Sequence, residues 1–569
     1  MGATQSTAHP HVLETKLGKL KGIEQRTLSG KPVCHRYAKV PYALPPTGFR
    51  RWRRPQVLPE NFTFSDQDGQ PGDYTTFGPI CPQPIYSHGS AVLDNPLAAP
   101  PVANVQNEDC LYLNIWVPAQ PPPPQGWPVQ FHIHGGWLQV GDACQQNDHD
   151  PFDLLAHSTP RIIVAPTYRL NLFGFLAGEQ LASVGEDAAP SNYGFWDQRA
   201  ALEWTAKHIS LFGGNPNNIT VGGLSAGANS TFFQLYYDTY LPDSQRLIKR
   251  VYLWSNAVAI QPNATTSPAL TGQFSDLCSV LNIPESATAG EKLSALRQIP
   301  SNDLIAALGK LKIHTFRAST DNAFIPPTFL SSLHSGTFTT LLAKHDISIL
   351  FGEVRDEALL YKLVNPPSSY DSLLTQLVNY YPEPVVDALL PLYPVPDAND
   401  PDQEKWADVF SKIVADCQVH ASLRGLTHVL LNPPPGVTTP LPPRNVHRYH
   451  IAWRAASLDK WIAPSVGVCH AADTPIWWAS GWRAGYTDDD KACAQKFLDP
   501  FGQFLNGEPT VRWGQHKTED RVRLLDSQGN VREDVEDELW ARGMQVWNAV
   551  WKAQEGTVAK ERRKSFAKI

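Results

Sequence analysis

Asn218-Ile-Thr-Val-Gly-Gly-Leu-Ser-Ala-Gly227 is the stretch on which the fold turns. Its first four residues include a β-branched run that reads as a short buried strand. Gly223-Leu-Ser-Ala-Gly227 then has the spacing G-x-S-x-G. Glycines two residues either side of a serine suit a sharp strand-to-helix turn. The hydroxyl stands clear of the strand, and the missing Cβ atoms leave room for a tight crossing. The predicted helix begins near Ser225, so its first N–H groups and its dipole favour negative charge developing beside the hydroxyl. Ser225 is therefore the candidate nucleophile. The same five residues also fit a glycine turn around an inert serine; the strand before them and the small residues after them favour the nucleophile.

Working outward, Val129, Phe131 and Ile133 alternate with polar neighbours, which predicts a strand ending at His134. Arg161-Ile-Ile-Val-Ala165 predicts a second buried strand. Leu202, Ala206 and Ile209 share one face of a helix predicted over 196–211. The apolar run Ile347 to Phe351 stops at Gly352, and Trp540, Met544, Trp547 and Trp551 form a packing stripe near the end of the chain. Strands alternating with helices predict an α/β fold whose mixed, mostly parallel central sheet is flanked by helices. There is no internal repeat. The proline tracts at 120–125 and 432–443 read as surface loops, because the candidate site needs residues from both sides of the second.

Composition narrows the function. Of 569 residues, 42% are hydrophobic and 18% charged, which excludes a disordered chain. Lys and Arg number 48 against 55 Asp and Glu, so nothing points to phosphate or nucleic acid as a partner. No apolar run approaches the roughly 20 residues of a membrane span. Eight Cys do not make a disulfide scaffold, and their spacing suggests no metal site and no cofactor.

Phe212-Gly-Gly-Asn-Pro-Asn-Asn-Ile-Thr-Val-Gly-Gly-Leu-Ser-Ala-Gly227 resembles the long active-serine signature of the type-B carboxylesterase and cholinesterase family, which has the α/β-hydrolase fold. Glu108-Asp-Cys-Leu-Tyr-Leu-Asn114 is similar to the family's second signature. Tyr168-Arg-Leu170, Phe173-Gly-Phe-Leu176, Asp197-Gln-Arg199, the segment 352–358 and the segment 467–475 extend the likeness from about residue 15 to about 555. The expected organisation is an extension over 1–14, one hydrolase domain over 15–555 and a basic tail over 556–569.

The resemblance implies roles for particular residues. His134-Gly-Gly-Trp-Leu-Gln-Val-Gly141 looks like the loop whose backbone N–H groups receive an oxyanion, which would make Gly136, Trp137 and Ala226 the donors. The family usually has a third glycine where this chain has Trp137; an N–H survives that change, but the indole must point away or form a pocket wall. Ser225 needs a base, and Gly467-Val-Cys-His-Ala-Ala-Asp473 looks like the family's histidine loop, which selects His470 among 18 His. Gly352-Glu-Val-Arg-Asp-Glu-Ala358 resembles the acid loop and selects Glu357, with Glu353, Asp356 and Asp473 as rivals. His132 and His134 read as structural neighbours of the glycine loop. The likeness also pairs Cys81 with Cys110 as a disulfide; close placement is expected, while a chain without a secretory signal leaves the pair's oxidation open.

The expected substrate is a small neutral carboxylic ester. Leu224 stands where cholinesterases carry a glutamate that helps hold a cation. Trp137, Trp477, Trp478 and Trp482 are candidates for an aromatic wall, with packing as the competing reading. The expected activity is serine carboxylesterase. Acyl transfer, lactone opening and thioester cleavage by the same residues remain open, as does a non-catalytic binding module, which would have lost triad members. Met1 to Pro10 is no secretory signal, which suggests a cytoplasmic enzyme; Gly2 with Ser6 fits a loose myristoylation pattern, and Ala567-Lys568-Ile569 resembles a peroxisomal tail. Without secretion, the sequons at Asn61, Asn218, Asn229 and Asn263 carry no meaning.

Overall fold

A computed structural model of the protein describes residues 6–85, 105–145, 149–184, 187, 190–258, 260–363, 366–434, 440–513 and 518–566, with side chains to residue 555. Gly2 and Ala567-Lys568-Ile569 lie outside these residues.

Thirteen strands form one sheet. They are β1 (Ser6–Thr15), β2 (Gly18–Thr27), β3 (Pro32–Pro41), β4 (Gly72–Asp73), β5 (Tyr112–Pro118), β6 (Trp127–Ile133), β7 (Ile162–Pro166), β8 (Gly214–Leu224), β9 (Arg250–Trp254), β10 (Ser348–Val354), β11 (Val446–Ile451), β12 (Arg521–Leu525) and β13 (Val531–Glu536). The order is β1-β2-β3-β5-β7-β6-β8-β9-β10-β11-β12-β13, with β4 beside β2. From β7 to β12 all neighbours run parallel, and the strands on either side pair antiparallel apart from β4, which lies parallel to β2. This is the mixed, mostly parallel sheet expected of an α/β-hydrolase.

Both faces of the parallel strands are buried, as period-two alternation between two apolar layers requires. Val251, Leu253, Ile349 and Phe351 pack into one core layer. Tyr252, Trp254, Leu350 and Val354 pack into the other. The sequence places these strands correctly and misjudges their ends. The parallel ladder carries β8 through its glycines to Leu224 and carries β10 past Gly352 to Val354. The predicted helix over 196–211 is Tyr193–His208 followed by a tighter turn at Ile209–Phe212.

Two boundaries need correction. Residues 6–14 do not stand apart as an extension, because β1 pairs with β2 along its whole length. The carboxyl-terminal helix Trp540–Phe566 runs through the expected start of the basic tail at 556. The proline tract at 120–125 is a loop joining β5 and β6 within the sheet; part of the tract at 432–443 falls outside the described residues. The resembling motifs at Arg169 and Asp197 meet as a buried bidentate ion pair, with Nε–Oδ2 and Nη2–Oδ1 contacts of 2.7 Å. No helix among the described residues is long and apolar enough to cross a membrane.

Candidate active site

The site lies at the carboxyl ends of the parallel strands, where loops leave the sheet free to meet a ligand. At the end of β8, Ser225 sits at φ 59°, ψ −125°, and the helix Ala226–Thr239 starts immediately after it. A non-glycine residue in such a conformation stores about 1–3 kcal/mol of strain that the surrounding fold must hold. The flanking glycines show how it is held. A Cβ on Gly223 would lie 2.3 Å from the Ile133 carbonyl oxygen, and one on Gly227 would lie 2.0 Å from the same oxygen. The turn is pressed against the end of β6, and only glycine fits at both positions. The Ser225 N–H donates to the Trp254 carbonyl at 2.8 Å.

The glycine loop follows β6 and lies against the serine. A Cβ on Gly135 would come within 3.2 Å of the Ser225 Cβ. Gly136, Trp137 and Leu138 all have positive φ, at 102°, 56° and 66°. A third glycine would avoid the strain of a positive φ at position 137; Trp137 carries that strain, and it lines a cavity. Among the described residues, no protein acceptor takes the N–H groups of Gly136, Trp137 or Ala226. His134 stacks on Tyr168, its ring 4.3 Å away, and bonds the Gly135 carbonyl. Burial pulls His134 down to about 4 and holds His132, which contacts the Tyr252 hydroxyl at 2.8 Å, well below the usual histidine range. Both therefore stay neutral near pH 7.

Glu357 follows β10 and is fully buried. Its Oε1 accepts the Val354 N–H at 3.0 Å, and its Oε2 lies 2.5 Å from Nδ1 of His470. The other ring nitrogen, Nε2, is buried with no hydrogen-bond partner. Backbone bonds lock the two loops together. The Asp356 N–H donates to the Val468 carbonyl at 2.9 Å, and the Val468 N–H donates to Asp356 Oδ2 at 2.8 Å. Gly467 makes this clasp possible: its φ is 60°, and a Cβ there would lie 2.3 Å from Asp356 Oδ2.

The rival acids are engaged elsewhere. Asp356 is the clasp. Glu353 accepts from Arg424 at 2.7 Å and contacts His420 at 2.7 Å and His450 at 3.3 Å. Burial alone would raise its carboxyl, but Arg424 and His420 outweigh burial and hold it well below the usual range. Asp473 accepts the Trp477 indole N–H at 2.7 Å, and burial pushes its carboxyl up to about 6.

Ser225 opens into a cavity of about 910 Å3, its mouth included. Trp137 and Ala226 line it, as does Tyr361, whose ring lies 6.0 Å from that of His470. Neither Leu224 nor three of the four tryptophans expected on the wall line it. Leu224, Trp477 and Trp478 are all packed in the second core layer. Trp477 stacks on Trp254 at 5.0 Å, and Trp478 meets His132 edge-on at 4.8 Å. Trp482 stacks on His157, also away from the cavity. Asn229, Asn256, Arg317, Asn379, Tyr380 and Gln418 stand on the wall instead, and sequence reasoning missed them because they are scattered over five segments of the chain. Cys81 and Cys110 lie close together, as expected; both are buried free thiols, and Cys81 Sγ accepts the Leu170 N–H at 3.2 Å and donates to the Pro82 carbonyl at 3.7 Å.

A carboxylate-bound imidazole with its far nitrogen free, a hydroxyl on a strained turn and unclaimed N–H groups together suit nucleophilic attack on a carbonyl carbon.

The model of the Carboxylesterase family matches residues 9–547. An uncharacterized esterase/lipase of Schizosaccharomyces pombe is 42% identical over 540 residues, covering 94% of this chain and 95% of that one. A carboxylic ester hydrolase of Gibberella moniliformis is 36% identical over 552 residues, covering 96% of each. The solved structure of a PNB esterase superposes with a TM-score of 0.69 at 24% identity, over 94% of this chain and 99% of that one.

Proposed function

The chain belongs to the carboxylesterase family and is a carboxylic ester hydrolase, and on that premise we propose that Ser225, His470 and Glu357 carry the reaction through an acyl-serine intermediate. His470 Nε2 takes the Ser225 proton as Oγ attacks the acyl carbon. The tetrahedral oxyanion is held by the N–H groups of Gly136, Trp137 and Ala226. The ester C–O bond breaks, and His470 gives the proton to the departing alkoxide. Water then attacks the acyl-serine, again losing its proton to His470; the acid leaves and Ser225 regains its hydrogen. Glu357 fixes the tautomer that presents a lone pair at Nε2 and stabilises the imidazolium.

One observation carries this reading: the 2.5 Å contact between Glu357 and His470 Nδ1, with Nε2 buried and unclaimed. The substrates are esters without a cation, neutral ones first, since no carboxylate lines the cavity among the described residues. The test is a pre-steady-state study of p-nitrophenyl butyrate with and without competing alcohols. A burst of one p-nitrophenol per chain, followed by release of butyric acid in preference to new esters, is the expected result. Preferential transfer to the alcohol would make the chain an acyltransferase. Absence of a burst together with single-step kinetics under all conditions would contradict the covalent route.

A further inference from the structure

We propose that Arg317 is an anion-recognition residue, and that the cavity takes esters carrying a carboxylate on their acyl or alcohol part. The inference rests on the esterase reading and extends it beyond neutral esters. Among the described residues lining the cavity that Ser225 enters, Arg317 is the one bearing a charge. Its guanidinium carbon lies 3.6 Å from the centre of the Tyr380 ring, so the cation is stacked on a wall residue. Its Nε is buried and has no hydrogen-bond partner, and no carboxylate among the described residues forms an ion pair with it. A buried guanidinium donor left unpaired is costly, and the planar fork of arginine matches a carboxylate better than any neutral group.

The loop carrying Arg317 is anchored on both sides. The Phe316 N–H donates to Gln139 Oε1 at 3.0 Å, and Gln139 Nε2 donates back to the Phe316 carbonyl at 2.5 Å. Two residues on, the Ser319 N–H donates to Asn192 Oδ1 at 3.1 Å, and Asn192 Nδ2 donates to the Ser319 carbonyl at 2.8 Å. Gln139 belongs to the glycine loop, so the cation is fixed relative to the same loop that offers N–H groups to the reacting carbonyl. Preorganisation of this kind lets a charged contact act without the cost of ordering a long side chain.

The experiment measures kcat/KM of the full chain on matched ester pairs at low ionic strength, each rate corrected for the ester's own reactivity with hydroxide. One arm compares p-nitrophenyl hydrogen adipate with its methyl ester, which puts the anion on the acyl part. The other compares the acetate of 4-hydroxybenzoate with the acetate of its methyl ester, which puts it on the alcohol part. In at least one arm the anionic ester is expected to be preferred on the order of 10- to 100-fold, the effect of one charged hydrogen-bonded contact. The arm that responds identifies which side of the ester reaches Arg317. Arg317→Gln should bring that ratio near one, and Arg317→Lys should keep part of it. The neutral partner ester reports in each variant that the protein is folded and turning over. Ratios at or below one in both arms, or a ratio that survives Arg317→Gln, would overturn the proposal and leave ester hydrolysis standing. Failure of the native chain on every ester would sink the esterase reading and this inference with it.

Discussion

Replacing Glu357 by Gln removes a charge while leaving volume almost unchanged, and the structure fixes what must follow. The carboxylate accepts twice, from the Val354 N–H at 3.0 Å and from His470 Nδ1 at 2.5 Å. Glutamine offers one acceptor and one donor group, so it can satisfy only one of these partners. If its oxygen stays with Val354, its NH2 group faces Nδ1, and the imidazole must move its proton to Nε2. That is the atom required to take the serine proton. If the oxygen turns to His470, the Val354 N–H is opposed by a second donor in a fully buried place. Either way the imidazolium formed during attack has lost its counter-charge. Loss of a charged hydrogen bond costs about 1.5–3 kcal/mol, and the wrong tautomer adds to it. We expect kcat to fall roughly 10³- to 10⁴-fold, about 4–5.5 kcal/mol of barrier, with KM little changed. Stability should drop by about 1–3 kcal/mol for the unmet donor. The assay is kcat and KM on p-nitrophenyl butyrate between pH 6 and 9, with thermal melting to show that the variant is folded. A folded Glu357→Gln protein that keeps kcat within tenfold of native would refute the orienting role of Glu357.

Gly227→Ala puts a Cβ 2.0 Å from the Ile133 carbonyl oxygen and 2.8 Å from that of His134, so it should cost about 3 kcal/mol or more in denaturant unfolding and at least tenfold in kcat/KM; native values for both would contradict the tight crossing at the serine turn. Asp473 has a folded-state pKa of about 6, raised by burial above its unfolded value of 3.8, so its protonated form adds stability that is fully present below about pH 4 and is lost as pH rises through 6. Asp473→Asn still accepts the Trp477 N–H and cannot ionise, so relative to native it should gain about 3 kcal/mol in unfolding free energy between pH 4 and 8; a native-minus-variant difference that is flat with pH would show that Asp473 does not titrate this way. Thiol titration of the chain unfolded without reductant should count eight free cysteines, and a count of six, with Cys81 and Cys110 protected, would show the bridge formed.

The parts of the molecule legible in the sequence are those whose chemistry is local. The serine turn is written in five consecutive residues, because its glycines are demanded by contacts with the neighbouring strand. The acid and base loops are legible only through resemblance, since 113 residues separate Glu357 from His470 and no spacing rule joins them. The cavity wall was not legible. Asn256, Arg317, Tyr361, Tyr380 and Gln418 come from five separate segments, and nothing in the neighbourhood of any of them marks it as facing a ligand. The tryptophans expected on the wall misled in a different way. Trp477 and Trp478 are large apolar side chains on a short helix, Thr474–Trp477, and the residue after it, packed over the sheet, and the Trp254, Tyr449 and Phe501 rings beneath them take up that surface. For these two the competing reading, packing, holds: the layer they belong to is the core.

The central claim, that Ser225 is the nucleophile and His470 its base, is tested most directly by labelling the native chain with an organophosphonate and mapping the modified peptide. The account predicts one label, on Ser225, formed at a rate that falls at least a hundredfold in His470→Ala. A label on another serine, or labelling of Ser225 at an undiminished rate in folded His470→Ala, would contradict it.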